Sequence, residues 1–290
     1  MIQVILQGGL GNQMFEYATA YALARKQETP FALDLSYMDV FAQKQWCRPY
    51  ELSVFALHSK ACFTRKHRLA VRVLGRLRLF CRKYSKTSCG SYYFDVADKS
   101  LMKTKSAILF DYCANYHTFE AYREELLKEF AFAEQPNAQN QVLLDEIKKT
   151  NSVSVHIRRG DYLNGANKNM FYTPSVEWYR RAMEMIEKHV DAPHYYFFSD
   201  DIPWVREKFA DIKNATFVDI NYGADAYNDM RLMSACQHNI IANSTFSWWG
   251  AWLNTNPDKI VIAPARYYNN PADISSYVEK MIPKEWIVLE

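Results

Sequence analysis

The stretch IQVILQGGLGNQM at residues 2–14 decides the fold. Its apolar start predicts a short buried strand over 2–6, and the glycines at 8, 9 and 11 then predict a turn. A helix is predicted over 13–26 and a second strand over 31–35. A strand, a glycine turn, a helix and another strand in this order open a parallel α/β sheet. We therefore expect an α/β protein.

The same turn is close to a dinucleotide-binding fingerprint. Gly9 and Gly11 follow the strand, and Asp34 lies 23 residues beyond Gly11, near the place of the ribose-binding acid in such sites. Met14 stands where a third small residue should allow tight packing of helix on strand, so the match is incomplete. An NAD-dependent oxidoreductase stays an alternative that nothing else in the chain supports.

The second half of the chain continues the α/β alternation. Strands are predicted at 152–157, 194–198, 215–219, 238–242 and 259–263, and helices at 175–189, 203–210 and 225–236. A polar stretch with a proline at 134–141 predicts a linker. We expect an N-terminal domain over 1–140 and a C-terminal domain over 150–270, with residues 271–290 packing back on the N-terminal domain.

Three predicted strands of the second half end in polar clusters. These are His156-Ile157-Arg158-Arg159-Gly160-Asp161, Ser199-Asp200-Asp201 and Asn243-Ser244-Thr245-Phe246-Ser247. In an open parallel sheet, ligands bind at the carboxyl ends of the strands near the switch in strand order. Arginine matches two phosphate oxygens at once, carboxylates accept from the N–H groups of a base, and a helix start binds anions. Each cluster alone also suits a strand end or a helix cap, but together they predict a nucleotide-diphosphate pocket.

The sequence predicts that this pocket works without a metal. A D-x-D motif often holds the divalent cation that neutralises a leaving diphosphate, and the chain has none. Asp200 and Asp201 are adjacent, so in a regular strand they would point to opposite faces. Arg158 and Arg159 are then the groups that stabilise a departing diphosphate. We expect no metal ligands and no cofactor.

Composition excludes several classes of protein. With 290 residues, 49% of them hydrophobic and 23% charged, and a net charge of +3, the chain is an ordinary globular protein without a nucleic-acid signature. Its six cysteines show no C-x-x-C pair, which is typical of free thiols in a reducing compartment. The N-terminus lacks a signal-peptide pattern, and no apolar run reaches the roughly 18 residues of a membrane span. We expect a cytoplasmic protein that does not bind nucleic acid.

A basic stretch interrupts the first half. Between Glu51 and Asp95 there are ten Lys and Arg residues and no acidic residue. Apolar residues recur there at helical spacing, at Leu69, Val73, Leu77, Phe80 and Tyr84. The pattern predicts a basic helical insertion around 60–90. This pattern fits a solvated outer helix. It also fits a helix that binds an anionic acceptor, a partner or a membrane surface. Binding to a membrane would place the protein peripherally on the inner membrane through residues 60–86.

Four motifs together carry a resemblance to a known family. They are Gly8-Gly9-Leu10-Gly11-Asn12-Gln13-Met14-Phe15, His156-Ile157-Arg158-Arg159-Gly160-Asp161-Tyr162, Phe198-Ser199-Asp200-Asp201 and Asn243-Ser244-Thr245-Phe246-Ser247-Trp248-Trp249-Gly250-Ala251-Trp252. In this order the chain resembles the bacterial alpha-1,2-fucosyltransferases. The resemblance implies a GT-B fold, in which two Rossmann-like parallel-sheet domains face each other across a cleft. It also implies inverting, metal-independent transfer of fucose from GDP-fucose to the 2-hydroxyl of a terminal galactose, on an oligosaccharide or a lipid-linked glycan.

The resemblance also implies roles for single residues. Arg158 would bind the β-phosphate, His156 and the pair Asp200 and Asp201 would lie near guanine, and Ser244 and Thr245 near the phosphates. The expected donor site is completed by Arg159, Gly160, Asn243 and Ser247. The loop residues expected to face the cleft, at the acceptor or a phosphate, are Gly9, Gly11, Asn12 and Gln13.

Two assignments stay open at this point. Inversion benefits from a base that takes the acceptor proton. Asp161 is the first candidate for this base and Glu16 is a weaker one. The third alternative is that no protein side chain acts as the base. Asp161 also fits a role as a brace for Arg158 or Arg159. The tryptophans Trp248, Trp249 and Trp252 fit core packing best, although a non-catalytic glycan-binding protein could use them as a sugar platform.

Overall fold

The computed structural model describes residues 1–59, 61–74, 87–98, 100–165, 167–270 and 274–290. Within these ranges the chain forms two compact units, residues 1–134 and 135–290. Each unit contains a six-stranded sheet flanked by helices. The expected α/β class with two parallel-sheet domains is confirmed. None of the described helices is long and apolar enough to cross a membrane.

The first unit is built on the predicted strand–turn–helix–strand start. Its strands are β1 (Ile2–Ile5), β2 (Phe31–Asp34), β3 (Cys62–Thr64), β4 (Ser88–Cys89), β5 (Tyr92–Tyr93) and β6 (Ala107–Leu109). They lie in the order β3-β2-β1-β6-β5-β4, and all neighbours pair in parallel except β4 with β5. The helices are α1 (Leu10–Lys26), α2 (Ser36–Phe41), α3 (68–74) and α4 (Arg123–Glu129). The strand order changes direction at β1 and β6, so the glycine turn after β1 lies at the switch point of this sheet.

The second unit contains an all-parallel sheet. Its strands are β7 (Ser152–Ile157), β8 (His194–Ser199), β9 (Ala215–Phe217), β10 (His238–Ile240), β11 (Val261–Pro264) and β12 (Ile287–Leu289), in the order β12-β11-β10-β7-β8-β9. Its helices are α5 (Ala138–Ile147), α6 (Asn167–Met170), α7 (Val176–Glu187), α8 (Ile202–Lys208), α9 (Tyr227–Ala235), α10 (Thr245–Leu253) and α11 (Ile274–Met281). The chain runs from β7 outwards to β9 and then returns to β10 on the other side of β7. The switch point of this sheet therefore lies between β7 and β10.

Alternation along β7 assigns its side chains to two faces. Val153, Val155 and Ile157 are fully buried against α7 and α8. Ser154 and His156 point to the other face, where His156 lies 5.9 Å from the ring of Phe246 in α10. Because both faces are covered by helices, the strand is buried along its whole length.

The tryptophan cluster is part of the core, as predicted. Trp248, Trp249 and Trp252 are 1%, 0% and 4% exposed. Trp248 lies 5.0 Å from Trp249 and 5.5 Å from Trp286 near the C-terminus. Rings buried in this way cannot present a platform to a sugar, so they stabilise the second unit.

Two of the predicted boundaries differ from the structure. We expected the C-terminal domain to end at residue 270, but β12 pairs with β11 and forms the edge of the C-terminal sheet, so this unit extends to residue 290. The physical reason is the burial of Trp286 beside Trp248, which the spacing of the sequence does not reveal. The predicted linker 134–141 is partly helical, because Asn137 caps α5 through its side chain. Of the predicted basic helix, Lys60 and residues 75–86 lie outside the described residues.

Candidate active site

The candidate site lies at the carboxyl ends of β7, β8 and β10. β7 is hydrogen-bonded to β8 on one side and to β10 on the other, so the segments that follow these strands meet at one edge of the sheet. The three predicted polar clusters are these segments. Direct contacts join them: Arg158 contacts Asp200, and the hydroxyl of Tyr162 donates to the backbone oxygen of Asn243 at 3.0 Å. The edge contains the switch point, which is where open parallel sheets bind ligands.

Arg158 is held by two carboxylates. Its Nε and Nη2 atoms contact Oδ1 of Asp161 at 2.9 and 2.7 Å. Its Nη1 atom contacts Oδ2 of Asp200 at 3.1 Å. A guanidinium has five N–H groups, so these contacts leave two of them for the oxygens of a ligand. The positive charge of Arg158 is thus fixed in position before an anion arrives.

Arg159 is turned towards the start of α8. Its guanidinium carbon lies 3.6 Å from the ring centroid of Trp204, and its Nε donates to Oδ2 of Asp201 at 3.1 Å. Asp201 also caps α8 by accepting from the N–H of Trp204. The two arginines therefore differ. Arg159 contacts Trp204 and Asp201 at the start of α8, whereas Arg158 is held by carboxylates from two different segments.

Position 160 requires glycine, because the carboxylate of Asp200 lies too close for a side chain there. A Cβ atom at this position would lie 2.6 Å from Oδ2 and 3.1 Å from Cγ of Asp200. The same carboxylate accepts from the backbone N–H of Arg159 through Oδ1 at 2.9 Å. Any side chain at position 160 would therefore displace Asp200 from both arginines. The glycine allows the loop after β7 to lie directly on the carboxylate after β8.

His156 is a neutral group inside this edge. It is 5% exposed, and burial, with a smaller contribution from the Arg158 charge, lowers its pKa to about 4. The ordinary pKa of histidine is near 6.5. Below that pH the imidazole is protonated in the unfolded chain but stays neutral in the folded chain. His156 therefore contributes stability that is complete above pH 6.5 and is lost as the pH falls through about 4. Among the described residues its Nδ1 atom has no hydrogen-bond partner.

Asn243 ties two loops to the end of β10. Its Nδ2 donates to the backbone oxygens of Tyr172 and Tyr267 at 2.7 and 2.8 Å. The side chain is fully buried, and its Oδ1 atom has no hydrogen-bond partner within the described ranges. A buried acceptor that is unpaired costs free energy unless a ligand or water donates to it. Asn243 and His156 therefore both offer buried polar atoms at the switch point.

The residues after Asn243 form the start of α10. Ser244 caps this helix, because its Oγ accepts from the N–H of Phe246 at 3.3 Å. Thr245 is the first helical residue. Ser247 is fully buried, and its hydroxyl donates to backbone oxygens of Ala242 and Ser244. Ser247 thus supports the turn from within, while Ser244 and Thr245 lie at the helix N-terminus.

An aromatic stack beside Arg158 was not predicted from the sequence. The ring of Tyr162 stacks on Phe171 at 4.4 Å, and Phe171 stacks on Tyr268 at 5.6 Å. The Arg158 guanidinium lies 5.8 Å from the Tyr162 ring. Phe171 and Tyr268 lie about a hundred residues apart and join through a β-bridge, so no local pattern could have paired them.

The predicted glycine loop of the first unit lies at the carboxyl end of β1. Gly8 has a φ of +71°, and a Cβ there would lie 2.4 Å from Nδ2 of Asn12, so glycine is required. Gly9 is the N-cap of α1, and Gly11 and Asn12 lie in its first turn. Gln13 is buried: its Nε2 donates to Gly8 and Pro49, and its Oε1 accepts from the N–H of Glu51. Gln13 therefore braces the loop.

The structure shows the surroundings of the three acidic side chains that were assigned roles from the sequence. Glu16 is fully buried in α1 and accepts from the N–H of Gln7 at 2.9 Å. Asp161 is 56% exposed and contacts Arg158. Asp34, the ribose ligand of the dehydrogenase alternative, is fully buried and accepts from Ser36, Thr64 and Lys66. Its carboxylate holds the β2 and β3 ends together. No group of three His, Cys, Asp or Glu side chains suited to a metal ion occurs among the described residues.

Comparison with known proteins gives a consistent result. Residues 76–290 match the profile of glycosyl transferase family 11. The O-antigen biosynthesis glycosyltransferase WbnK of Escherichia coli is 32% identical, over 93% of this chain and 96% of WbnK. An alpha-1,2-colitosyltransferase of Escherichia coli is 30% identical, over 98% of this chain and 97% of the relative. The galactoside 2-alpha-L-fucosyltransferase Sec1 of Mus musculus is 24% identical, over 99% of this chain and 73% of Sec1.

The fold has solved counterparts as well. The crystal structure of the fucosyltransferase NodZ from Bradyrhizobium superposes with a TM-score of 0.54 at 13% sequence identity. The match covers 86% of this chain and 90% of NodZ. At this identity the likeness concerns the fold, which is that of a two-domain α/β glycosyltransferase.

Proposed function

The chain belongs to glycosyl transferase family 11, and we propose that it transfers L-fucose from GDP-fucose to the 2-hydroxyl of a terminal galactose, with inversion at the anomeric carbon. The observation that carries this proposal is the arrangement around Arg158. A guanidinium braced by Asp161 and Asp200 lies at the switch point with two N–H groups available to phosphate oxygens. The proposed linkage and acceptor are supported by two relatives, one named as an alpha-1,2-colitosyltransferase and the other, Sec1, as a galactoside 2-alpha-L-fucosyltransferase.

Arg158 would act on the leaving group. As the galactose hydroxyl attacks the anomeric carbon, negative charge builds on the β-phosphate of the departing GDP. A preorganised cation at that oxygen stabilises the transition state more than the ground state. The N-terminus of α10, begun by Ser244, adds the backbone N–H groups of a helix start to the same edge.

Asp161 fits the role of brace better than that of base. Its Oδ1 atom accepts from two nitrogens of Arg158, which fixes the carboxylate on the phosphate side of the site. The hydroxyl that attacks with inversion must approach from the face opposite the phosphate. Glu16 is also poorly placed, because its carboxylate is fully buried beneath the glycine loop. The geometry therefore favours transfer in which neither of these carboxylates acts as the base and the acceptor proton passes to water on the face opposite the phosphate.

GDP-colitose is the second candidate donor, because a relative at 30% identity is named as a colitosyltransferase. Colitose lacks the 3-hydroxyl of fucose. If the site pairs that hydroxyl, we expect kcat/KM for GDP-fucose to exceed that for GDP-colitose by a factor of about 100 or more, because an unpaired buried polar group is left behind. Both donors would be offered with a panel of galactosides, and the product linkage assigned by NMR. Preference for GDP-colitose, or a linkage other than alpha-1,2, would overturn the assignment.

We also propose that transfer proceeds without a metal ion, because the charge of Arg158 stands where a cation would otherwise neutralise the diphosphate. Activity is expected to stay within about twofold of its starting value when excess EDTA is added, since a guanidinium is not removed by chelation. The measurement is the initial rate with and without EDTA. A loss of activity that magnesium restores would contradict it.

A further inference from the structure

In the first unit, the segment 63–73 carries exposed apolar and basic side chains close together in sequence. We call it the 63–73 surface. Phe63, Leu69 and Val73 are 57%, 75% and 57% exposed, and Leu69 is the most exposed large apolar side chain of the described chain. Single exposed apolar residues are ordinary, but three within eleven residues of one segment are not. Each is followed or preceded by basic residues, which are Arg65, Lys66, Arg68 and Arg72.

The packing of α3 fixes which side of the helix faces solvent. Val71 is fully buried against Ile5, Phe94 and Phe110, and Leu74 packs on the same cluster. In an α-helix, residues two positions apart point about 160° away from each other. Leu69 and Val73 are each two positions from Val71, so both point directly away from the core. The helix therefore has a second apolar stripe, which stays exposed among the described residues of the first unit.

The charge around this stripe is positive. Asp39 offsets part of it, because it is paired with Arg65 and Arg68. Lys66 and Arg72 are exposed, and no acidic residue occurs between Glu51 and Asp95. The first unit as a whole has 19 Lys and Arg residues against 13 Asp and Glu residues. An anionic surface is therefore attracted to this side of the unit.

We propose that the 63–73 surface binds the first unit to an anionic lipid bilayer. Isolated apolar side chains that project between cations match a lipid interface, where the chains enter the headgroup region and the cations pair with anionic headgroups. The core of a protein–protein interface is instead depleted in charged residues, whereas these apolar side chains lie among cations. The proposal concerns where the enzyme is held and does not depend on which sugar it transfers.

Binding of the whole protein to vesicles tests the proposal. Wild-type protein is expected to float with phosphatidylcholine vesicles that contain phosphatidylglycerol, and to stay unbound with phosphatidylcholine alone. Because a basic residue near the surface contributes about 1 kcal/mol, the double variant Lys66→Gln/Arg72→Gln should bind about 30-fold more weakly. The double variant Leu69→Ser/Val73→Ser should also bind more weakly at the same salt concentration. Raising the ionic strength should release the wild-type protein.

The control is Val142→Ser/Lys149→Glu, which changes one exposed apolar and one exposed basic residue in or next to α5 of the second unit. It should bind as the wild type does. Turnover of a free, soluble galactoside should be unchanged in all these variants, which separates lipid binding from the proposed function. Equal vesicle binding by wild type and the surface variants, or no binding to anionic vesicles, would overturn the proposal.

Discussion

Replacing Arg158 by alanine is expected to lower kcat by a factor of about 100 or more, the size of the loss when one oxyanion-stabilising donor is removed. The reason is that Arg158 carries the charge at the switch point, and Asp161 and Asp200 fix its orientation. Removing it also leaves the negative charges of these two carboxylates without a neighbouring guanidinium next to the diphosphate, which adds repulsion. Steady-state kinetics with GDP-fucose and a saturating galactoside would measure the change.

Arg158→Lys is the more discriminating variant. An ammonium keeps the charge, but as a point charge it cannot contact two carboxylates and two phosphate oxygens from one planar fork. We therefore expect a loss close to that of Arg158→Ala. The matched control is Arg180→Lys, because Arg180 forms a comparable double contact with Asp211 away from the candidate site, at 2.8 Å for both oxygens. Near-normal activity of Arg158→Lys would contradict the phosphate-clamp assignment.

Replacing Asp200 by alanine is expected to lower kcat about 10- to 100-fold, although the side chain need not touch the substrate. Asp200 contacts Nη1 of Arg158, accepts from the backbone N–H of Arg159 and lies against Gly160. Its removal frees both the arginine and the loop, and positioning errors near 1 Å can reduce rates by about a hundredfold. Asp200→Asn keeps the acceptor for the Arg159 N–H and should retain more activity than Asp200→Ala. Asp211→Asn is the control for loss of an arginine-paired carboxylate.

A double-mutant cycle separates this positioning role from the guanine contact that the family resemblance implies. If Asp200 acts through Arg158, then Arg158→Ala/Asp200→Ala should be about as slow as Arg158→Ala alone, because the effects of coupled residues are not additive. If Asp200 instead binds the base, the two losses should add, and the affinity for GDP should fall in both backgrounds. Additive losses would therefore refute the positioning role.

Much of the fold is predictable from local patterns. β7 occupies the predicted residues 152–157, and β8 differs by one residue from the predicted 194–198. β7 is buried throughout and β8 is buried except at its two ends, as is typical of strands in a parallel sheet. Helix α1 begins three residues earlier than predicted, because Gly9 caps it without any side-chain signal. The strands β3 to β6 and the edge strand β12, each of two or three residues, were not predicted.

The sequence by itself determined the residue types of the site and their places at strand ends. An arginine pair, a glycine and an aspartate after one strand, and carboxylates or hydroxyls after two others, are local facts of composition and spacing. They were enough to predict a diphosphate site in an α/β protein, because chain direction alone places the ends of parallel strands at one edge.

Only the tertiary structure decided which of these residues contact one another and therefore which role each one has. Asp200 is 42 residues from Arg158, and the pairing of β7 with β8 makes them neighbours. That contact turns Asp200 into a brace, requires glycine at 160, and distinguishes Arg158 from Arg159, which stacks on Trp204 instead. The physical reason is that charge and chain order are local properties, whereas the direction of a guanidinium depends on contacts made by residues distant in sequence.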